Sequence, residues 1–324
     1  MSGLLPLIGN ATVLYPVGRK VGFDTNVALA IDASEQRAKR RPALTEFALK
    51  YSRISADDLA TFKAFVESQH GPFDSTWGMV LGLATLYGQI NSGSPTLTDP
   101  SGQFTSAVTG QTFVVSGAGV SGGLLVATGT YVSPTQVTLS TTASTTVVNA
   151  DTRWGLYFPY CTFLDQNFLW TEEGPTRTTY GFNLRVRQTQ NPLQAWTGPG
   201  GTFPTLGNSS PTQFPYGQIN RFQVLISDNV LGPRYTWNFF DGAASFPNQS
   251  LHGWEFSGVA LQNSDLLIWE NFYRAQFGRF GTFTVNDPDS GTPYTKCRFA
   301  SDVLEITHIS FNVNAVKLSV METN

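Results

Sequence analysis

LATFKAFVESQHGPF (Leu59 to Phe73) and LLIWENFYRAQFGRF (Leu266 to Phe280) share one pattern of leucine, aromatic, aromatic, glutamine, glycine and phenylalanine. Leu59, Phe62, Phe65, Gln69, Gly71 and Phe73 fall on Leu266, Trp269, Phe272, Gln276, Gly278 and Phe280, each pair 207 positions apart. Apolar residues recur at helical spacing in both stretches and a glycine ends each run, so each predicts an amphipathic helix with a glycine stop. The chain reads as two versions of one fold.

Working outward from the first helix, Thr45, Phe47, Leu49 and Tyr51 alternate with Glu46, Ala48 and Lys50, the period of a half-buried strand. Ser55 is placed to cap the helix, with Asp58 three residues on. In the second half Trp254 and Phe256 mark the strand, Ser264 the expected cap, and Leu266, Trp269, Phe272 and Tyr273 the apolar stripe. This strand and cap align best at an offset of 209, which predicts a two-residue difference at the helix start. Beyond the helix come Gly281 to Val285, a turn at Asn286 to Gly291, Lys296 to Phe299, and a last strand with Val316, Leu318 and Val320 inward and Lys317 and Ser319 outward. The first half resumes the same order only at Trp154, ending with Phe182, Leu184 and Val186 alternating with Asn183, Arg185 and Arg187.

The interruption, residues 78–151, is rich in Ser, Thr, Gly and Val, and Thr112 to Val115 and Gln136 to Leu139 read as short strands between glycine turns. The expected division is a discontinuous first lobe (1–77 and 152–188), an inserted β-module (78–151), a linker (189–217) rich in Pro, Gly, Asn and Ser, and a second lobe (218–324). At 324 residues, with 41% hydrophobic and 13% aromatic content, two or three domains with separate cores are expected. Charged residues make up only 13%, about half the usual share, which predicts a mainly β protein of α+β class.

A formal net charge of −3 offers no global attraction for nucleic acid, and no sequence-specific nucleic-acid partner is expected. No apolar run reaches about 18 residues and no signal peptide opens the chain, so the expectation is synthesis in a cytoplasm and no membrane span. Cys161 and Cys297 occupy equivalent places in the two halves, where they cannot meet as a disulfide, and read as buried, reduced thiols.

Catalytic, cofactor-binding and metal-binding residues are all expected to be none. His70, His252 and His308 lack the spacing of a metal motif, and Phe277 replaces His70 in the repeat. Asn286 to Gly291 superficially resembles a calcium loop but lacks the closing glutamate, so a strand-joining turn is expected. Asp151, Asp165, Glu172 and Glu173 are the carboxylates a glycoside hydrolase would draw on, if space brought two of them together. The run Arg37, Lys39, Arg40 and Arg41 is the densest charge cluster, read either as a DNA-lumen or intersubunit contact or as a solvated connector.

Strands, one capped helix carrying aromatics, a glycine exit and further strands: this unit, strongest over Ser55 to Phe73 and again over Ser264 to Phe283, resembles the distal tail and tail-hub proteins of long-tailed phages and gene transfer particles. GQFTSAVTGQTFVVSGAGVSGG (Gly102 to Gly123) with PTQVTLSTTAST (Pro134 to Thr145) is similar to a β-repeat of tail fibres and exposed virion proteins. The resemblance implies barrel-like lobes, each braced by its helix, in a ring at the tip of the tail in the virion. Implied partners are further copies of the chain as a homotrimer or homohexamer, the tail tube protein, the tape measure protein and hub or baseplate proteins. In the trimer, six lobes would meet a sixfold tube above and a threefold hub below. The alternative is a receptor- or glycan-binding, or glycan-degrading, tail protein, with Trp170 and Trp196 stacking on sugars and the insertion meeting a host glycan or a fibre.

Overall fold

A computed structural model describes residues 3–8, 11–29, 35–72, 77–189, 199–204, 206, 218–225, 250–287 and 290–323, and it is mainly β with two α-helices. The strands of the first lobe are β1 (Gly3–Leu4), β2 (Val17–Leu29), β3 (Glu35–Ile54), β4 (Trp77–Ile90), β9 (Val147–Phe163), β10 (Trp170–Glu173) and β11 (Thr179–Gln188), with α1 (Ala56–Ser68) following β3. The insertion adds β5 (Thr96–Thr98), β6 (Thr112–Val115), β7 (Leu125–Ser133) and β8 (Gln136–Leu139). The second lobe holds β12 (Gln218–Leu225), β13 (Ser250–Leu261), α2 (Asn263–Ala275), β14 (Phe283–Asn286), β15 (Pro293–Phe299), β16 (Val303–Ser310) and β17 (Val313–Glu322).

The two lobes repeat one ladder. In the first, β2 pairs with β3, β3 with β11, β11 with both β9 and β10, and β9 with β4. In the second, β12 pairs with β13, β13 with β17, β17 with both β15 and β16, and β15 with β14. Register agrees residue for residue: Val186 lies between Phe47 and Phe163, and Val320 between Trp254 and Phe299. Trp77 faces Cys161 as Phe283 faces Cys297. The barrel-like closure expected of each lobe is not seen among the ladders of the described residues. Among the described residues, strand pairing closes on itself in the insertion, where β4, β5, β8, β7, β6 and β9 complete a ring around Phe104, Phe113, Val137 and Trp154.

Helix starts correct one expectation. Strand, cap and helix all align at 207, with no residues gained or lost, because the second N-cap is Gln262 rather than Ser264. Ser55 Oγ accepts from the Asp58 amide at 3.1 Å, whereas Gln262 makes no side-chain cap. The first helical amide of α2, that of Asn263, donates instead to Asn312 Oδ1 at 2.7 Å, a cap supplied by the β16–β17 turn. At the other end His70 and Phe277 both take positive φ, followed by Gly71 and Gly278, each at +63°.

Each helix packs one equivalent aromatic cluster: Phe65 with Trp77 and Phe163, and Phe272 with Phe283 and Phe299. One turn earlier the lobes diverge. Phe62 stacks among Tyr51 and Phe182, whose counterparts are the small Gly258 and Val316. The volume is restored by the larger Trp269 and by Phe203, whose ring lies 5.9 Å from Trp269 and 4.6 Å from Phe256. Phe203 comes from the expected linker, part of which is therefore a core plug, held by its amide to Thr284 O at 2.8 Å. Separate cores for the lobes are also overturned: a single apolar cluster runs from Phe47 and Phe62 to Trp269 and Phe299. The insertion keeps its own core, but β4 and β9 run unbroken from it into the first lobe.

Cys161 and Cys297 are buried free thiols, each donating to the carbonyl three residues back at 3.3 Å. Burial pushes both thiols up, Cys297 to about 12. Neither is a thiolate nucleophile at neutral pH.

Candidate functional site

The lobes are joined edge to edge. Strand β2 carries β3 on one side and β16 of the second lobe on the other, with Val17 facing His308 and Gly22 facing Val303. The result is one antiparallel sheet in the order β12, β13, β17, β16, β2, β3, β11, β10. On its solvated face Lys20 stands between Glu305 and Glu46, and Arg187 follows Glu46 on β11, an alternating charge ladder that crosses the junction. Lys20 meets Glu305 at 2.7 Å and Arg187 meets Glu46 at 2.7 Å. Such exposed pairs fix register more than they stabilise, at about 0–1 kcal/mol each.

On the inner face the junction is charged and dry. Arg19 of β2 is buried at 1% exposure and pairs with Glu270 of α2. Arg274 reaches the same carboxylate at 2.8 Å and donates to Thr45 Oγ1 of β3 at 2.7 Å. Burial alone would raise the Glu270 carboxyl, but the two guanidiniums outweigh it and hold the group below its ordinary range. Around this triad Phe23 packs on Tyr273 at 5.8 Å and Phe277 at 6.3 Å. Asp302 ties the rim, accepting from the amides of Thr25 at 2.9 Å and Arg279 at 3.0 Å. A Cβ at Gly278 would lie 2.8 Å from Asp302 Oδ1, so the close docking at this exit requires glycine for space as well as for its φ.

Sequence reasoning singled out none of Arg19, Glu270, Arg274 and Asp302. Glu270 and Arg274 lie one turn apart beside Trp269 and Tyr273, so a charged pair flanking the apolar stripe was the available signal. Arg37, read with its run as a DNA-lumen or intersubunit contact or as a solvated connector, donates to the Phe280 carbonyl at 2.9 Å at the exit of α2. Lys39, Arg40 and Arg41 lie in β3, where only the backbone is described.

The other candidates are not brought together. Asp151 pairs with Arg153 at 2.6 Å, Asp165 with Arg185 at 3.0 Å, and Glu173 accepts from the Arg53 amide at 2.8 Å. Glu172 is exposed on β10. Asp287 spends its carboxylate on Ser290 N at 3.0 Å and Trp254 Nε1 at 3.2 Å, while Pro288 and Asp289 lie outside the described residues. His252 contacts Glu322 at 2.9 Å and His308 contacts Asn314 at 2.5 Å, with His70 exposed at its helix end. Among the described residues no His, Cys, Asp and Glu gather as metal ligands, and no helix is long and apolar enough to cross a membrane.

No protein-family model matches the chain, and no curated protein matches it either. Trp170, read as a sugar-stacking candidate, sits on β10 with one ring face covered by Lys63 Nζ at 3.6 Å; Trp196 lies outside the described residues. The insertion, read as an outward module, also braces the second lobe: Phe311 packs on its core, and Gln111 Oε1 accepts from Asn263 Nδ2 at 3.0 Å.

Proposed function

We propose that this chain is a structural ring protein of the distal end of a phage tail, linking the tail tube to the hub or baseplate, with three copies supplying six lobes. One observation supports the reading: the lobes dock head to tail within the chain, and among the described residues the sheet they form ends on the matching halves of that same joint, β10 at one end and β12 at the other. A head-to-tail contact between unlike surfaces propagates until it closes as a ring or runs on as a filament. A ring of tandem lobes would present six near-equivalent positions to a sixfold tube and three to a threefold hub. Its partners would be the tail tube protein and the tape measure protein above and the hub or baseplate below, in the virion.

The mechanism is assembly rather than turnover. The single core holds the two lobes at a fixed angle, so each chain contributes a rigid arc, and an arc of fixed curvature selects how many copies close. Cryo-electron microscopy of purified particles tests this: density for three copies, both lobes in one layer at the tail tip, is the expected result. Six copies with their lobes in separate layers, or absence of the chain from purified tails, overturns it.

A further inference from the structure

We propose that a second copy of this chain fills the matching joint: strand β12 of one copy pairs along the edge of β10 that has no partner strand among the described residues of the next, and lies over α1, as β2 pairs with β16 and lies over α2 within the chain. This inference rests on the ring reading and names its contact.

Three observations converge. The first is register. Arg221 of β12 faces Trp254 as Arg19 of β2 faces Phe47, and Trp254 and Phe47 are repeat equivalents. Strand β12 is thus the second lobe's β2, and among the described residues its far edge has no partner strand. The second is exposure. Trp170 faces Phe182 as Ile306 faces Val316, which makes β10 the first lobe's β16. Ile306, covered by β2, is 1% exposed, whereas Trp170 is 44% exposed and Leu169 beside it 75%. A bare edge bearing large apolar groups is a pairing site unless something covers it.

The third is charge. Glu270 and Arg274, buried under β2, have Lys63 and Glu67 as their counterparts on α1, where Lys63 is half-buried and Glu67 exposed. Within the chain, Arg19 completes a set of two cations around one carboxylate. The incoming strand carries Arg221 at the register position of Arg19 to the helix flank that bears Lys63 and Glu67, the carboxylate now one turn later on the helix. The cation of Lys63 on the Trp170 ring ties α1 to β10, so the incoming strand meets helix and edge as one surface. The two faces of the joint are unlike, so copies add in one direction only and do not pair off as dimers.

Native mass spectrometry and size-exclusion chromatography of the purified full chain test it. The wild type is expected to give a closed oligomer. Glu67→Arg and Arg221→Glu are each expected to weaken assembly about tenfold or more, with an unchanged Tm showing that the fold is intact, and the double variant to regain it. Trp170→Lys, at an exposed position, is expected to release monomers independently of the charge pair. A wild-type chain that stays monomeric, single variants that assemble like the wild type, or a double variant no better than the singles overturns the proposal. The two readings part cleanly: rings indifferent to Glu67, Arg221 and Trp170 would leave the ring standing without this joint. Rings that need them, from a chain absent from tails, would leave the joint standing without the tail.

Discussion

Helices α1 and α2 have the same length, the same 207-residue spacing, the same glutamine C-cap and the same positive-φ exit, yet they end in different environments. On α2 the face carrying Glu270, Tyr273 and Arg274 is buried under β2 and β3 of the other lobe, while on α1 the face carrying Lys63, Val66 and Glu67 is half-buried or exposed. Even the exits differ in the space around them: a Cβ at Gly71 would meet no atom of the described residues within 4 Å, and one at Gly278 would strike Asp302. The two copies share an inward face, which builds the lobe. They differ on the flank, where, among the described residues, one copy has a neighbour and the other has none.

The largest expected effect that could break this comparison is at the buried carboxylate. Glu270→Gln strands two buried guanidiniums and should cost about 3–5 kcal/mol in chemical denaturation. Lys63→Gln, at the equivalent position, should stay within about 0.5 kcal/mol in the isolated chain. Equal costs would mean that the flank of α2 is no more committed than that of α1.

Acid should act on the second lobe before the first. His308, buried on β16, is lowered to about 3, first by desolvation and then by the charge of Arg19. The unfolded chain therefore binds a proton that the folded chain refuses between its ordinary value near 6.5 and about 3. Stability is complete above that window and falls as pH drops through it, by up to about 1.4 kcal/mol per pH unit. Glu270, held low, adds loss of the same sign at more acid pH. Thermal unfolding from pH 7 to 4 should show a steep fall, flattened in His308→Gln; an equal slope in that variant would remove His308 as the cause.

The smallest contrast is at the helix starts. Ser55→Ala should cost about 1 kcal/mol, since it removes the acceptor for the Asp58 amide. Gln262→Ala should cost a few tenths of that, because the cap of α2 comes from Asn312. Matched urea midpoints for the two variants would contradict that division of labour.

Much of this architecture was legible along the chain. The helices, the inward sets Thr45 to Tyr51, Phe182 to Val186 and Val316 to Val320, the strands of the insertion and both buried thiols follow from periods of 3.6 and 2, which any neighbouring core must respect. The start of α2 was misplaced because its cap lies 49 residues away on another turn, leaving Ser264 as the best local signal. Phe203 read as linker because its surroundings are Gly- and Pro-rich, and only the void left by Gly258 and Val316 makes it core.

The repeat and the helix and strand faces are carried by spacing between near neighbours and can be read along the chain. That Arg19 belongs to Glu270, 251 residues away, and that β2 is shared between lobes, follows from the fold alone. Edge pairing is made by backbone groups that every residue carries, so no local pattern names the partner strand. A buried charge becomes meaningful only when the fold brings its counter-ion.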